Sequence, residues 1–304
     1  MKVLFIQKRA KKAGAQVCLA QTVRALKGSG VEAKAMLGES GWLADRLAEM
    51  DALAGIAPFP SFRSPLSKWI RSGPFKKAVD RVWDESGPFH IVHANDTWEG
   101  LVAEWVAKRW GIPWIAHLRI ATLNQPHYTK YHCQKADAII AVSPSVYAMV
   151  EKWPHNILEY VPEGITEESF STPRRSEKSF PETIGVIGHG GEVKGWLDLA
   201  AAFAKVEKSG GSLPEKIVFY GQADEGAVKK IRRASPGAIT MSFEGHVDDL
   251  AERLRGFDIV VAPSRMESFG MAVLETIAAG VPLLASRTGI LPYIMEEGGE
   301  GSPW

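Results

Sequence analysis

Two cysteines, Cys18 and Cys133, are all that 304 residues contain, too few for a disulfide framework. A reducing compartment, the cytoplasm, is the default, with both thiols free and buried; a single bridge between them is the alternative. Apolar runs longer than a strand are also missing, although 45% of residues are hydrophobic, so no segment is long enough to cross a bilayer. No charged n-region followed by an apolar stretch and a cleavage site opens the chain, because Lys2-Val-Leu-Phe-Ile6 reads directly as a strand. The loop after that strand lacks the spaced glycines of a dinucleotide site, which argues against a nicotinamide enzyme.

Net charge is small as well, +1 overall, but it is unevenly spread. Residues 1–155 hold 21 Lys+Arg against 13 Asp+Glu, and the remainder holds 15 against 22. A basic first half suits an anionic acceptor, a phospholipid surface or a lipid-linked phosphate, and a solvated face with no partner is the plain alternative. A basic, aromatic-bearing segment from Ser64 to Asp84 reads as a helix pair, packed on a sheet or lying on a membrane surface. Lys/Arg stripes also occur in nucleic-acid binders, but no nucleic-acid motif accompanies this one, so nucleic acid is not an expected partner.

What the chain does contain is a regular alternation of short apolar runs with helical spacing, the pattern of doubly wound parallel sheets. Val3–Ile6, Val31–Leu37, 90–94, 112–118 and Ala138–Val142 read as strands of a first domain, residues 1–165. Residues 166–182, rich in Ser, Pro and charge, read as a linker. A second domain, 183–304, opens on Ile184-Gly-Val-Ile-Gly188-His189-Gly190-Gly191 with Lys194 near the next helix start, chemistry suited to a diphosphate. It is not a P-loop, because the Gly-Lys-Ser/Thr order is absent. Strands at 216–220 and 239–243 follow, then Glu244-Gly245-His246-Val247 and a helix from Asp249.

Residues 258–296 carry the most chemistry. Asp258–Ala262 and Val281–Ala285 are strand-like runs, and Met271–Ala279 between them has helical spacing. The Ser268-Phe269-Gly270 turn puts unpaired N–H groups at a helix start, a site for hydroxyls or anions. Glu267 and Glu275 are eight residues apart, roughly 12 Å at helical rise as an upper bound. That exceeds the spacing of about 5–10 Å used by glycoside hydrolases, and it suits two separate diol contacts.

These residues, Pro-Ser-Arg-x-Glu267-Ser-Phe-Gly and Glu275-x-x-Ala-Ala-Gly-x-Pro, resemble the signature of retaining glycosyltransferases of the GT-B fold, the family 4-like, group 1 enzymes. The resemblance implies an α/β fold of two Rossmann-like parallel-sheet domains facing a central cleft, the first for acceptor and the second for a nucleotide-sugar donor. It implies sugar transfer in polysaccharide, lipopolysaccharide or glycolipid synthesis, in the cytoplasm or peripherally at the inner face of the membrane. Lys194 would stabilise the leaving diphosphate, Glu267 would orient the sugar with the Phe269 and Gly270 amides, and Glu275 would hold the ribose. Ser268, Gly14, Gly188, His189, Gly190, Gly191, Gly221, His246 and Val247 complete the implied donor contacts. His117 falls at the end of its strand, where the family places a histidine against the sugar, and His93, Asn95 and Arg119 are the acceptor-side candidates. No Asp-x-Asp pair occurs, so neither a metal nor another cofactor is expected. The family's Gly-Arg becomes Gly188-His189, which removes a permanent bidentate cation; Arg265 is a candidate replacement. The family's last helices are not seen after Met295, so a short or fragmentary chain is expected, with an apolar face that a homo-oligomer would cover. A non-catalytic homologue that binds nucleotide or protein is one alternative, and a nucleotide-sugar 2-epimerase is another.

Overall fold

The computed structural model describes residues 1–60, 65–165, 170, 180–247 and 250–297, with side chains of 65–72 and 296–297 left out. The chain divides into two compact units, Met1–Gly164 and Ile165–Trp304. Most of the expected linker and the last seven residues lie outside the described residues.

In the first unit the strands are β1 (Lys2–Gln7), β2 (Glu32–Leu37), β3 (Leu53–Ile56), β4 (Ile91–Ala94), β5 (Trp114–Leu118), β6 (Ala138–Ala141) and β7 (Ile157–Tyr160). They form one sheet in the order β3-β2-β1-β4-β5-β6-β7, every pairing parallel. Parallel strands are covered on both faces, which is why Val3, Leu4, Phe5 and Ile6 are all buried and the strand reads as an unbroken apolar run. Helices α1 (Gly14–Lys27) and α2 (Trp42–Glu49) cover one face, packing Leu19, Val23, Leu43 and Leu47 onto Val3, Phe5, Ala35 and Leu37.

The Ser64–Asp84 segment corrects the expected helix pair: it is one helix, α3 (Pro65–Ser86), running through Pro74. Its described apolar residues Phe75, Val79 and Val82 are buried, and Phe75 packs on Trp105 at 5.4 Å between ring centroids. That continuous buried stripe holds the helix together across the missing proline N–H. Helices α4 (Gly100–Trp110), α5 (Gln125–Lys130) and α6 (Pro144–Val150) complete the unit. Ser143 caps α6, its Oγ accepting from Val146 N–H at 3.3 Å.

The second unit has β8 (Thr183–Ile187), β9 (Lys216–Tyr220), β10 (Thr240–Gly245), β11 (Ile259–Ala262) and β12 (Leu283–Ala285), in the parallel order β10-β9-β8-β11-β12. Its helices are α7 (Trp196–Lys208), α8 (Glu225–Ala234), α9 (Leu250–Leu254), α10 (Met271–Ala278) and α11 (Leu291–Glu297). The core centres on Trp196, which packs on Phe219 at 4.8 Å between centroids. Asp224 sets the start of helix α8, capping it by accepting from Ala227 N–H at 2.7 Å.

Both sheets reverse their order at one point, between β1 and β4 in the first and between β8 and β11 in the second. Loops leaving the carboxyl ends of strands on either side of such a reversal diverge and open a crevice, the place where doubly wound sheets bind ligands. The sites described next lie at these two points.

Candidate active site

At the second reversal, the loop after β8 and the loop after β11 bring Lys194 and Glu267 together. Lys194 closes a short 3-10 turn, Glu192–Lys194, and Gly195 follows in the left-handed region at φ +67°. A Cβ on Gly195 would collide with the carbonyl oxygen of Pro263 in the β11 loop, so only glycine lets the two loops meet this closely. Lys194 Nζ donates to Glu267 Oε1 at 2.6 Å and to Oε2 at 2.8 Å, and Ser264 Oγ donates to the same Oε1 at 2.7 Å. Both charged side chains are largely enclosed, at 17% and 12% exposure, so this ion pair is screened far less than a surface one.

Around this pair the sequence-predicted residues divide. Gly188, Gly190 and Gly191 surround the turn, but their N–H groups already donate to Tyr220, Gln222 and His189 carbonyls at 2.9, 2.8 and 2.8 Å. A phosphate at this loop therefore depends on the Lys194 side chain more than on those amides. His189 is exposed on the loop. Arg265, its candidate replacement, has its guanidinium on Asp198 of α7, at 2.7 and 2.6 Å. Gly221 crosses to Gly245 through a 2.6 Å hydrogen bond, placing His246 and Val247 on the same side as the glycine-rich loop. Gly270, at φ +103°, begins α10, and among the described residues the N–H groups of Phe269 and Gly270 find no acceptor. Glu275 sits one turn further along α10, half-buried.

Gly289 is a site residue that the sequence reading missed. It has φ +64°, and a Cβ there would strike the Phe269 carbonyl oxygen and come within 2.8 Å of Glu267 Cβ. Ile290 N–H donates to Phe269 O at 2.7 Å, so the 286–290 turn backs the Glu267 loop. The isolated Thr-Gly after a strand was its only signal.

At the first reversal His93, Asn95, His117 and Arg119 gather in one buried network. His93 Nε2 and Arg119 Nη2 both lie near His117 Nδ1, at 3.2 and 3.1 Å. Because a guanidinium only donates, His117 Nδ1 accepts and its proton sits on Nε2, an atom that is buried and without a partner. Burial first, and then the Arg119 charge, hold His93 down to about 3 and His117 well below the usual histidine range. Both rings are neutral at physiological pH. Asn95 Nδ2 donates to Gln7 Oε1 at 2.6 Å and to Ala15 O at 3.1 Å, tying β1 and the start of α1 to β4. Arg119 donates to the Asn95 carbonyl at 2.9 Å and forms an ion pair with Glu163. Gly14 has no close neighbour that a Cβ would meet, so packing gives no reason for glycine there.

Beside this network Asp96 and Glu99 are two further functional candidates. Burial raises Asp96 to about 6, and burial with the Asp96 charge raises Glu99 to about 8. The Asp96-x-x-Glu99 spacing resembles a helix-capping pattern, which disguised them. Cys18 and Cys133 are both buried and form no disulfide, as the default reading expects. Among the described residues no group of three or more His, Cys, Asp and Glu could hold a metal ion, and no helix is long and apolar enough to cross a membrane.

Two doubly wound parallel sheets, each with polar clusters at its order reversal, define the GT-B class of fold. Residues 181–302 match the family model for glycosyl transferases group 1, and residues 13–155 match that for the glycosyl transferase 4-like domain. The chain belongs to the group 1 glycosyltransferase family. It is 26% identical over 254 residues to the D-inositol 3-phosphate glycosyltransferase of Corynebacterium jeikeium, covering 72% of this chain and 61% of that one. It is 25% identical over 182 residues to the N-acetyl-alpha-D-glucosaminyl L-malate synthase of Bacillus anthracis, covering 57% and 47%. The chain therefore spans less than two thirds of these relatives. The fold resembles Anabaena HepE, solved with UDP and glucose, at a TM-score of 0.74 and 17% identity, covering 97% of this chain and 83% of that one.

Proposed function

We propose that the chain transfers a sugar from a nucleotide-diphosphate sugar to an acceptor hydroxyl, with retained anomeric configuration and without a metal. The observation that carries this reading is the enclosed Lys194–Glu267 pair at the second sheet reversal, steadied by Ser264. A diphosphate arriving there exchanges one anionic partner of Lys194 for another, and the ammonium then meets the charge that grows on the leaving phosphate. A preorganised cation of this kind is the largest single contribution to such a step. Glu267, released from Lys194, accepts from sugar hydroxyls while the Phe269 and Gly270 amides donate to them. Glu275 takes the ribose diol. In retention by front-face attack a leaving-group oxygen receives the acceptor's proton, which requires no enzymatic nucleophile.

The UDP and glucose bound in HepE support a nucleotide sugar as donor. The role lies in the synthesis of polysaccharide, lipopolysaccharide or glycolipid, on the cytoplasmic side. Titration calorimetry with UDP-, GDP- and ADP-sugars tests the reading: one series should bind, and no binding by any would sink it. Lys194→Ala should lower kcat about 10²–10³-fold with the matching donor; unchanged turnover would remove Lys194 from the chemistry.

A second reading, a non-catalytic nucleotide binder, is favoured by one observation. His189 stands at the family's arginine position and Arg265 is engaged by Asp198. Donor binding with neither transfer nor hydrolysis is the outcome that selects it.

A further inference from the structure

Arg119 stands just past the end of β5, inside the polar network of the first reversal, and its side chain is 8% exposed. A guanidinium carries its N–H donors in a fixed fork and accepts nothing. Nε donates to the Asn95 carbonyl at 2.9 Å, and Nη2 to Asn95 Oδ1 at 3.3 Å and to His117 Nδ1 at 3.1 Å. Nη1 pairs with Glu163, whose side chain is equally enclosed, and the Cys18 side chain is a further hydrogen-bond partner. A buried cation spent in this way on the protein has little left for a ligand. Its purpose lies in what it does to its neighbours.

The neighbour it governs is His117. A neutral imidazole has one N–H, and the hydrogen bond made at one nitrogen decides where that proton sits. Nδ1 faces Arg119 Nη2 and His93 Nε2, so a proton there would point at a guanidinium. Burial and the Arg119 charge oppose a second proton on the ring. With Nδ1 covered and the cation suppressed, what His117 can offer is the Nε2–H. That group is buried and has no hydrogen-bond partner. Buried polar atoms are nearly always partnered, and each exception calls for an explanation. A leucine or phenylalanine would fill the same place without the desolvation cost, so the orphaned N–H is explained by an oxygen that arrives with a substrate.

Resting on the transfer reading above, we propose that Arg119 is a positioning residue: held by Glu163 and Asn95, it fixes His117 as the Nε2–H tautomer, so that His117 serves transfer as a hydrogen-bond donor and never as a proton acceptor. The Nε2 proton stays on nitrogen throughout, and the acceptor's proton still goes to the leaving-group oxygen. Arginine suits the task because its planar fork reaches Asn95, His117 and Glu163 at once, which the single ammonium of lysine does not. Glu163 stands next to Gly164, where the first unit ends. The segment that leaves the unit is therefore tied to the ring through one guanidinium.

Heteronuclear NMR of the full chain with isotope-labelled histidine reads the tautomer directly, His117 being assigned by its loss in His117→Gln. The parent should show a protonated Nε2 and a bare Nδ1 on His117; the reverse overturns the proposal. Arg119→Lys should shift part of the proton to Nδ1, and Glu163→Gln, which loosens the guanidinium, should do so to a smaller extent. An unshifted His117 in both variants would mean that another group sets the tautomer. The parent spectrum and Glu163→Gln decide even if Arg119→Lys does not fold. Activity then separates positioning from plain support, with release of nucleotide diphosphate from UDP-glucose, GDP-mannose or ADP-glucose, whichever binds, giving kcat and KM. His117→Leu should lower kcat about tenfold or more. His117→Gln, whose amide donates whatever Arg119 does, should recover most of that loss. Arg119→Lys should lower kcat more than it changes KM in the parent, and cost little in the His117→Gln background. Equal losses in the two backgrounds, or a His117→Gln as slow as His117→Leu, would overturn the proposal. The spectrum needs no sugar nucleotide: the wrong tautomer in a chain that binds one refutes this inference alone, and binding of none refutes the transfer reading and the role built on it.

Discussion

Glu267 and Glu275 are eight residues apart in sequence, but only one of them is paired to Lys194, and this asymmetry gives them separable roles. Glu275→Ala should weaken the bare nucleotide diphosphate because its carboxylate is assigned to the ribose. Glu267→Ala should spare the bare nucleotide and weaken the sugar-bearing donor, since it also leaves Lys194 free to hold phosphate more firmly. Calorimetry with the matching nucleotide diphosphate and with its sugar nucleotide measures both; equal losses for the bare nucleotide in the two variants would overturn the division. Gly289 tests the support of the same loop. Gly289→Ala must adopt φ +64° and move the Phe269 carbonyl or Glu267 itself. The left-handed conformation alone costs about 1–2 kcal/mol. A stability loss of at least that size, together with weaker donor binding, is expected in urea unfolding and calorimetry. A neutral substitution would show that the turn does not back Glu267.

At the scale of elements, strands β1, β8 and β9 were legible because parallel strands are apolar throughout and need no alternation to be recognised. Strand β7 was not read, because it is an edge strand whose Ile157 and Tyr160 stay exposed, so burial never shaped a pattern. Strand β3 has only four residues, one of them Gly55. Of the site, Glu267, Gly270 and Lys194 were visible as local motifs, but the salt bridge between positions 73 apart was not. Asp96 and Glu99 look like helix-start residues, and only the approach of Lys8 from β1 turns Glu99 into a buried acid. That burial gives the first unit a distinctive pH dependence. Glu99, raised from its ordinary 4.5 to about 8, contributes stability that is complete below about 4.5 and is lost as pH rises to 8. Asp96 does the same between 3.8 and about 6. His93, lowered from 6.5 to about 3, works in the opposite sense, and its contribution is lost as pH falls below 6.5; His117 follows it. Between pH 8 and 6.5 Glu99 is the group that changes most, so acidification should stabilise the unit by up to about 1.4 kcal/mol per pH unit. Below 6.5 the two histidines reverse the trend. Urea unfolding across this range should show a maximum near 6.5, and Glu99→Gln should remove the slope above it while keeping the loss below; an unchanged slope would mean Glu99 is ionised in the folded chain.

The whole molecule has separate cores, one built on Phe5 and Leu19 and others on Trp196, Phe219 and Phe257. The chain passes between the two units at Gly164–Ile165. Separate cores allow separate opening reactions, so a ligand stabilises the unit whose folded form it recognises. With the matching nucleotide diphosphate at 100 times its Kd, the amides of β8, β9 and β11 should gain about 2.7 kcal/mol of protection in hydrogen exchange wherever they exchange through opening of the second unit. Amides of β1, β4 and β5 should be unaffected by it. Lys194→Ala should shrink the effect. Protection of the first unit by the nucleotide alone would place the nucleotide on the wrong sheet, and the functional assignment of both order reversals would fall with it.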